Sequence, residues 1–118
     1  MTIDERQRGV TVLRPTGDIT ITGTGTTPLA DAVQAVLDRS GTRLILDLSH
    51  VRYMDSSGLG EMVQALTATR KQGGTLVLLS VTRRLQDLLA LTRLSTVFAS
   101  FEDEPAALAS FARPPSRA

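Results

Sequence analysis

Residues 44–66 read LILDLSHVRYMDSSGLGEMVQAL, and this stretch predicts a buried strand, a polar connection and an amphipathic helix, in that order. Residues 44–48 are apolar except for Asp47, which is typical of a central strand covered on at least one face. Ser57 opens a segment whose apolar residues recur at the i, i+3, i+4 and i+7 spacing of one helix face. Those residues are Leu59, Met62, Val63 and Leu66.

The chain on either side continues this alternation of strands and helices. Further strands are predicted at residues 10–14, 19–21, 75–79 and 97–101, with Ile3 in an earlier edge strand. Further helices are predicted from Thr27-Pro28 to Gly41, from Thr82 to Thr92 and from near Asp103 to Phe111, and Gly73-Gly74 ends the Ser57 helix. The inward residues of the first and third helices are Leu29, Val33, Val36, Leu37, Leu85, Leu88 and Leu89. We therefore expect an α/β fold with a mixed, mostly parallel sheet of four to five strands and about four helices mainly on one face.

The composition limits the classes of function. A chain of 118 residues with 42% hydrophobic content suits one domain, which we place at residues 1–112, followed by a disordered tail at 113–118. With 13 basic and 12 acidic residues and 3% aromatic residues, neither a phosphate-binding surface nor a base-stacking platform for nucleic acid is expected. The chain has no cysteine, no apolar core of a secretory signal and no run of about 20 apolar residues to span a membrane. We therefore expect a cytoplasmic protein.

The connection Asp55-Ser56-Ser57-Gly58 supports two interpretations. Asp and Ser side chains at such a position accept hydrogen bonds from the free N–H groups of a helix's first turn, so the simplest role is an N-cap. A phosphate on a hydroxyl there would meet the same donors and a helix dipole worth about 0.3–1 kcal/mol, opposed by repulsion from Asp55. Such a modification would change folding little and binding strongly, because about two negative charges would appear on an exposed surface.

Residues 44–66, and above all the order Met-Asp-Ser-Ser-Gly-Leu-Gly between a strand and a helix, closely resemble the signature of the STAS family, specifically of bacterial anti-sigma factor antagonists. The resemblance extends over residues 3–112 and includes Gly73-Gly74 before a strand. It implies that the first serine after the aspartate, Ser56, is phosphorylated. Asp55, Ser57 and Gly58 would support the site, with Ser57 as the helix cap.

The resemblance also implies a partner switch. The unphosphorylated domain would bind an anti-sigma factor that is also a serine kinase, and a sigma factor would be freed for transcription. The kinase would then phosphorylate Ser56 and expel the domain, and a metal-dependent serine phosphatase would reset it. The domain would be a substrate and not an enzyme, without cofactor or metal, and a monomer or weak homodimer. We expect the partner to contact Leu59, Gly60, Met62, Arg83 and Arg84.

Thr20 marks a departure from the family's pattern. Residues 17–20 are Gly-Asp-Ile-Thr, whereas the family commonly has Gly-Glu-Leu-Asp, with its second acidic residue near the phosphorylated serine. We expect Thr20 to support the site by hydrogen bonding. Thr20 also favours an alternative function, a non-switching STAS scaffold module in a larger signalling assembly, whereas the intact Asp-Ser-Ser-Gly favours the switch.

Three other patterns are weaker. Residues 23–26 are Gly-Thr-Gly-Thr, but they lack the lysine of a Walker loop. His50 is close to Ser56 in sequence, but the Gly-x-Ser-x-Gly elbow of a hydrolase is absent, so we expect a surface histidine. Asp47 near a strand end is reminiscent of a response-regulator receiver, but the required acidic pair and late lysine are missing, since the single lysine is Lys71 on the Ser57 helix.

Overall fold

The computed structural model describes residues 2–5, 9–19, 29–39 and 41–112. The strands are β1 (Thr2–Glu5), β2 (Val10–Arg14), β3 (Gly17–Ile19), β4 (Arg43–Asp47), β5 (Val51–Met54), β6 (Thr75–Leu79) and β7 (Ser100–Phe101). The helices are α1 (Leu29–Arg39), α2 (Ser56–Lys71), α3 (Arg83–Leu91) and α4 (Glu104–Ala112), with a 3₁₀ turn at Leu94–Thr96.

Five of these strands form one sheet in the order β1-β2-β4-β6-β7. β1 runs antiparallel to β2, and the other neighbouring pairs are parallel. The predicted α/β fold with a mixed, mostly parallel sheet is therefore confirmed, as is the edge strand at Ile3, which pairs with Leu13. Because β2, β4 and β6 are parallel, their carboxyl ends lie at the same edge of the sheet.

Side chains of the central strands alternate between two packed faces. Leu44 and Leu46 of β4 belong to the core shared with α1, α2 and α3, whereas Ile45 belongs to a second core with α4. The continuous apolar run at residues 44–46 is explained by this burial on both faces. The prediction that the helices lie mainly on one face is confirmed, with three helices on the first face and α4 on the second.

A separate pair of parallel strands, β3 and β5, carries the chain into α2. β5 was not expected, because its middle residues Arg52 and Tyr53 are both exposed between buried Val51 and Met54. That pattern is neither an alternation nor an apolar run, so the sequence signal for a strand is absent. The predicted strand at residues 19–21 overlaps β3 at Ile19; β3 begins at Gly17, earlier than predicted, and residues 20–21 lie outside the described part.

The buried face of α2 differs from the predicted face at one position. Val63 was expected to point inward, but it is 37% exposed, and Ala65 is fully buried instead. The buried stripe advances from Leu59 to Met62 to Ala65 in steps of three residues, which turns it away from Val63. α2 ends before Gly73 as predicted, where a φ of +76° suits glycine.

The prediction of a strand over residues 97–101 is right only for its last two residues. The carbonyl oxygen of Leu94 accepts hydrogen bonds from the amides of Val97 (3.0 Å) and Phe98 (3.2 Å). This turn places Phe98 in the core, where it is 5% exposed. Of residues 97–101, Ser100 and Phe101 alone therefore pair with β6.

α3 and α4 form where they were predicted. Thr82 Oγ1 accepts a hydrogen bond from the Leu85 amide at 3.3 Å, and Asp103 Oδ1 accepts one from the Ala106 amide at 2.8 Å. Of the predicted inward residues of α3, Leu85 and Leu89 are buried and Leu88 is partly buried. Four predictions concern residues outside the described part and stay predictions: the cap at Thr27-Pro28, the loop at residues 23–26, the role of Thr20 and the disordered tail at 113–118.

Candidate functional site

The predicted phosphorylation site lies where β5 passes into α2. Met54 ends β5 and is buried, Asp55 follows, and Ser56 is the first residue of α2. Ile19 of β3 lies beside Met54. The connection is therefore beyond the carboxyl end of a strand, as predicted, but that strand is β5 rather than β4.

Asp55 is the N-cap of α2, and the prediction that Ser57 is the cap is wrong. Asp55 has an extended backbone, with φ −101° and ψ −171°, and its Oδ1 accepts a hydrogen bond from the Gly58 amide at 2.9 Å. Gly58 is the third helical residue, which is the usual partner of an N-cap side chain. Because the aspartate carboxylate fills this role, capping of α2 does not require a hydroxyl from Ser56 or Ser57.

The five predicted partner contacts differ in exposure. Leu59 is 7% exposed and Met62 is 1% exposed, so both are core residues that offer a partner little surface, and their contact with a partner stays a prediction. Their apolar character serves the packing of α2 against the sheet. The other three residues are at the surface, namely Gly60, Arg83 and Arg84. Arg83 forms an exposed ion pair with Asp87, with Nε 3.5 Å from Oδ1.

Glu61 makes a contact that the sequence analysis missed. Its Oε1 accepts a hydrogen bond from the amide of Ala30 at 2.9 Å, although the two residues are 31 positions apart. Ala30 is the second residue of α1, so Glu61 of one helix satisfies a free N–H of another. The only signal in the sequence is an acidic residue early in α2 that fits no capping box of its own helix.

Arg14 and Asp47 form a partly buried ion pair at the carboxyl ends of β2 and β4. Arg14 Nε donates to Asp47 Oδ2 at 2.8 Å, and Arg14 Nη1 donates to Asp4 Oδ2 at 3.3 Å. Arg14 Nη2 also lies 4.0 Å from Oε1 of Glu104, in the first turn of α4. Arg14 therefore connects β1, β4 and α4.

Asp47 is a structural carboxylate in this arrangement. Burial would raise the pKa of Asp47, but the hydrogen bond from Arg14 and those from Ser49 outweigh it and hold the pKa below its usual value. The hydrogen bond to Asp47 also raises the pKa of Arg14. An aspartate that is 5% exposed and engaged in this way is poorly placed to accept a phosphoryl group.

Comparison with known proteins decides the family. The sequence profile of the STAS domain matches residues 2–107 of the chain. The chain belongs to the STAS domain family.

Individual relatives of this STAS domain carry related names. An anti-sigma-B factor antagonist from Listeria monocytogenes is 37% identical over 67 residues, which are 57% of this chain and 59% of that protein. The match thus spans less than two-thirds of the relative's length. Among solved structures, an anti-sigma factor antagonist from Mycobacterium paratuberculosis has a TM-score of 0.78 at 25% identity, covering 95% of this chain and 92% of that chain. The phosphorylated form of the Bacillus cell fate determinant SpoIIAA has a TM-score of 0.68 at 17% identity, covering 95% and 98%, and shows the shared fold.

His50, another side chain of this STAS domain considered for catalysis, lies in a surface turn. His50 is exposed in the turn before β5, as predicted, with Nδ1 3.1 Å from Oγ of Ser49. In the described residues, three or more His, Cys, Asp or Glu side chains never come together in a group that could hold a metal ion. Across the same residues, every helix is too short or too polar to cross a membrane.

Proposed function

We propose that this STAS domain is an anti-sigma factor antagonist controlled by phosphorylation of Ser56. Its partner is an anti-sigma factor with serine kinase activity, which it binds when unphosphorylated and leaves when phosphorylated. The observation that supports this proposal best is the N-cap of α2. Asp55 accepts the capping hydrogen bond from the Gly58 amide, so Ser56, the first residue of the helix, is not needed as the cap. The names of the Listeria relative and of the phosphorylated SpoIIAA structure point in the same direction.

The proposed switch rests on where the new charge falls. The positive end of α2 is already opposed by the Asp55 carboxylate, so a phosphate on Ser56 gains little from the helix dipole and is repelled by its neighbour. The free energy of folding should therefore change by no more than about 1 kcal/mol. At a docking surface, the roughly two negative charges of the phosphate face partner groups that fit a neutral hydroxyl. Binding is then lost through repulsion and desolvation.

In the proposed reaction the domain is a substrate. The kinase transfers the γ-phosphoryl group of ATP to Oγ of Ser56, so that a P–O bond forms to the serine and ADP and a proton are released. A metal-dependent serine phosphatase hydrolyses that bond with water and returns serine and inorganic phosphate. ATP and both partner enzymes place this cycle in the cytoplasm.

Tyr53 supplies an anchor for the partner beside the site. Tyr53 is 46% exposed and lies two residues before Asp55, in β5. Exposed aromatic side chains often contribute most of the free energy of protein binding. Gly60 is exposed one turn after Ser56, and Arg83 and Arg84 are exposed on α3. We propose Tyr53 and Gly60 as partner contacts in place of the buried Leu59 and Met62.

The test is a phosphorylation assay with each purified anti-sigma factor kinase of the source genome and Mg-ATP. One kinase should add a single phosphate to the wild type, none to Ser56→Ala and one to the matched Ser57→Ala variant, as read by peptide mass spectrometry. The same kinase should bind wild type without ATP, and bind Ser56→Asp at least tenfold more weakly. Tyr53→Ala should weaken binding, whereas Leu91→Ala, which alters an exposed residue at the C-terminal end of α3, should not.

Failure of every kinase to modify the wild type would rule out the switch. It would leave the alternative, a STAS scaffold module in a larger signalling assembly that is not reversibly modified. Equal affinity of the kinase for wild type and Ser56→Asp would also contradict the switch, even with phosphorylation present.

A further inference from the structure

The contact between Glu61 and Ala30 joins the second turn of α2 to the first turn of α1. The amide of Ala30 is one of the donors that a helix N-terminus cannot satisfy internally, and Oε1 of Glu61 accepts from it at 2.9 Å. This is the hydrogen bond that an N-cap side chain usually provides from within its own helix. In α1 the described acceptor comes instead from α2.

The position of Glu61 on α2 connects it with the proposed phosphorylation site. Glu61 lies in the second turn of α2: it is four residues after Ser57, on the same face of the helix, whereas position 56 is about 140° away around the helix axis. The capped turn of α2 at Asp55 and the capped turn of α1 at Ala30 are thus held together within the first two turns of α2.

The fold itself does not depend on this hydrogen bond. α1 buries five apolar residues against α2 and the sheet, namely Leu29, Ala32, Val33, Val36 and Leu37. Such burial holds the helix in place without help from one half-buried carboxylate. The carboxylate adds one fixed acceptor for the amide of Ala30 in the first turn of α1, next to the exposed Asp31.

We propose that Glu61 is a positioning residue of the Ser56 site: it locks the start of α1 to the start of α2, so that a partner meets both helix ends in one fixed arrangement. This role rests on the proposed function, because it concerns recognition of Ser56 by the anti-sigma factor kinase. Loss of the lock lets the first turn of α1 fray, while Asp55 still holds Ser56 in its helix. Recognition is then weakened and the transfer of phosphate from the bound complex is not.

The first measurement is amide hydrogen exchange by NMR on the intact chain. Glu61→Ala should lower the protection of the Ala30 amide roughly tenfold, the factor expected for loss of an N-cap. Glu61→Gln keeps an acceptor oxygen and should stay within about threefold of wild type, because it loses the charge–dipole attraction alone. Gln64→Ala changes an exposed residue of the same helix and is the matched control, with Ala30 unchanged.

The second measurement is the phosphorylation rate of the same variants by the kinase that modifies the wild type. Glu61→Ala should raise the KM for the domain about fivefold to tenfold, with kcat within twofold of wild type. Glu61→Gln should have a KM close to that of wild type. Unchanged exchange at Ala30 in Glu61→Ala, or altered exchange with an unchanged KM, would overturn this role while the proposed function stands. A wild type that no kinase modifies would instead overturn the proposed function and this role with it.

Discussion

Arg14→Met should lower the free energy of unfolding by about 2–3 kcal/mol, because it leaves the Asp47 carboxylate buried without its cation. The side chain of Asp47 is 7% exposed and that of Arg14 is 24% exposed, and the pair is joined at 2.8 Å. Breaking a fully buried pair costs about 3–5 kcal/mol. We take a lower value because Arg14 is partly open to solvent and because Ser49 still donates its amide to Oδ1 of Asp47 at 2.9 Å.

The assay is urea or thermal unfolding at pH 7 with the wild type, Arg14→Met and Asp47→Asn. For a chain of this size, about 2–3 kcal/mol corresponds to a fall in Tm of roughly 8–12 °C. Asp47→Asn loses the charge and keeps only one acceptor oxygen, so either Arg14 Nε or the Ser49 amide faces an NH2 group, and the cost should be about 1.5–3 kcal/mol. Arg84→Met changes an exposed arginine on α3, is the matched control and should stay within about 0.5 kcal/mol of wild type.

The pH dependence of the same variants gives an independent check. The pKa of Asp47 is lowered in the folded state, so its contribution is fully present above the pKa of an unfolded aspartate, about 3.9, and is lost as the pH falls through the folded pKa. The difference in stability between wild type and Asp47→Asn should therefore stay constant from pH 7 to about pH 5 and shrink between about pH 5 and pH 3. A constant difference over that range, or a cost of Arg14→Met below about 0.5 kcal/mol, would refute the reasoning.

Three further predictions concern stability and use the same unfolding assay. Asp55→Ala removes the cap of α2 and should cost about 1 kcal/mol, whereas an unchanged stability would show that a serine can take over the role. Gly74→Ala should destabilise the domain by about 1–3 kcal/mol, since a Cβ there would collide with the backbone oxygen of Thr42; a neutral result would mean that the turn can shift. Met62→Ala should cost about 2–5 kcal/mol and the adjacent Val63→Ala less than about 1, and the reverse order would contradict the observed buried face of α2.

The central strands of the main sheet were predictable because they are buried on both faces. Residues 44–46 and 76–79 are continuously apolar, and Gly73-Gly74 punctuates the chain before the second run. The strand Val51–Met54 was not predictable in this way, since among the described residues it pairs with β3 alone and exposes Arg52 and Tyr53. Short strands outside the main sheet leave no periodic signal, and their pairing depends on a partner distant in sequence.

The candidate site was located by sequence, but its internal roles were not. Asp55, Ser56 and Ser57 are all good N-cap residues, and only the extended backbone at Asp55 decides which of them caps the helix. The role of Glu61 could not be predicted either, because its partner Ala30 is 31 positions away and belongs to a different helix. Local sequence patterns thus predicted the connection between strand and helix. The roles of Asp55 and Glu61 depend on the folded backbone and on the contact between two helices.

The division of labour between Asp55 and Ser56 bears on how regulation can change over generations. Since the aspartate caps the helix, that hydrogen bond does not depend on the neighbouring serine. Under the switch proposed above, a lineage that replaced this serine with alanine would keep a domain that always binds its partner, and one that replaced it with aspartate would keep a domain that does not bind it. Under the same proposal, phosphorylation control can be acquired or discarded by one substitution that leaves the Asp55 cap of α2 in place.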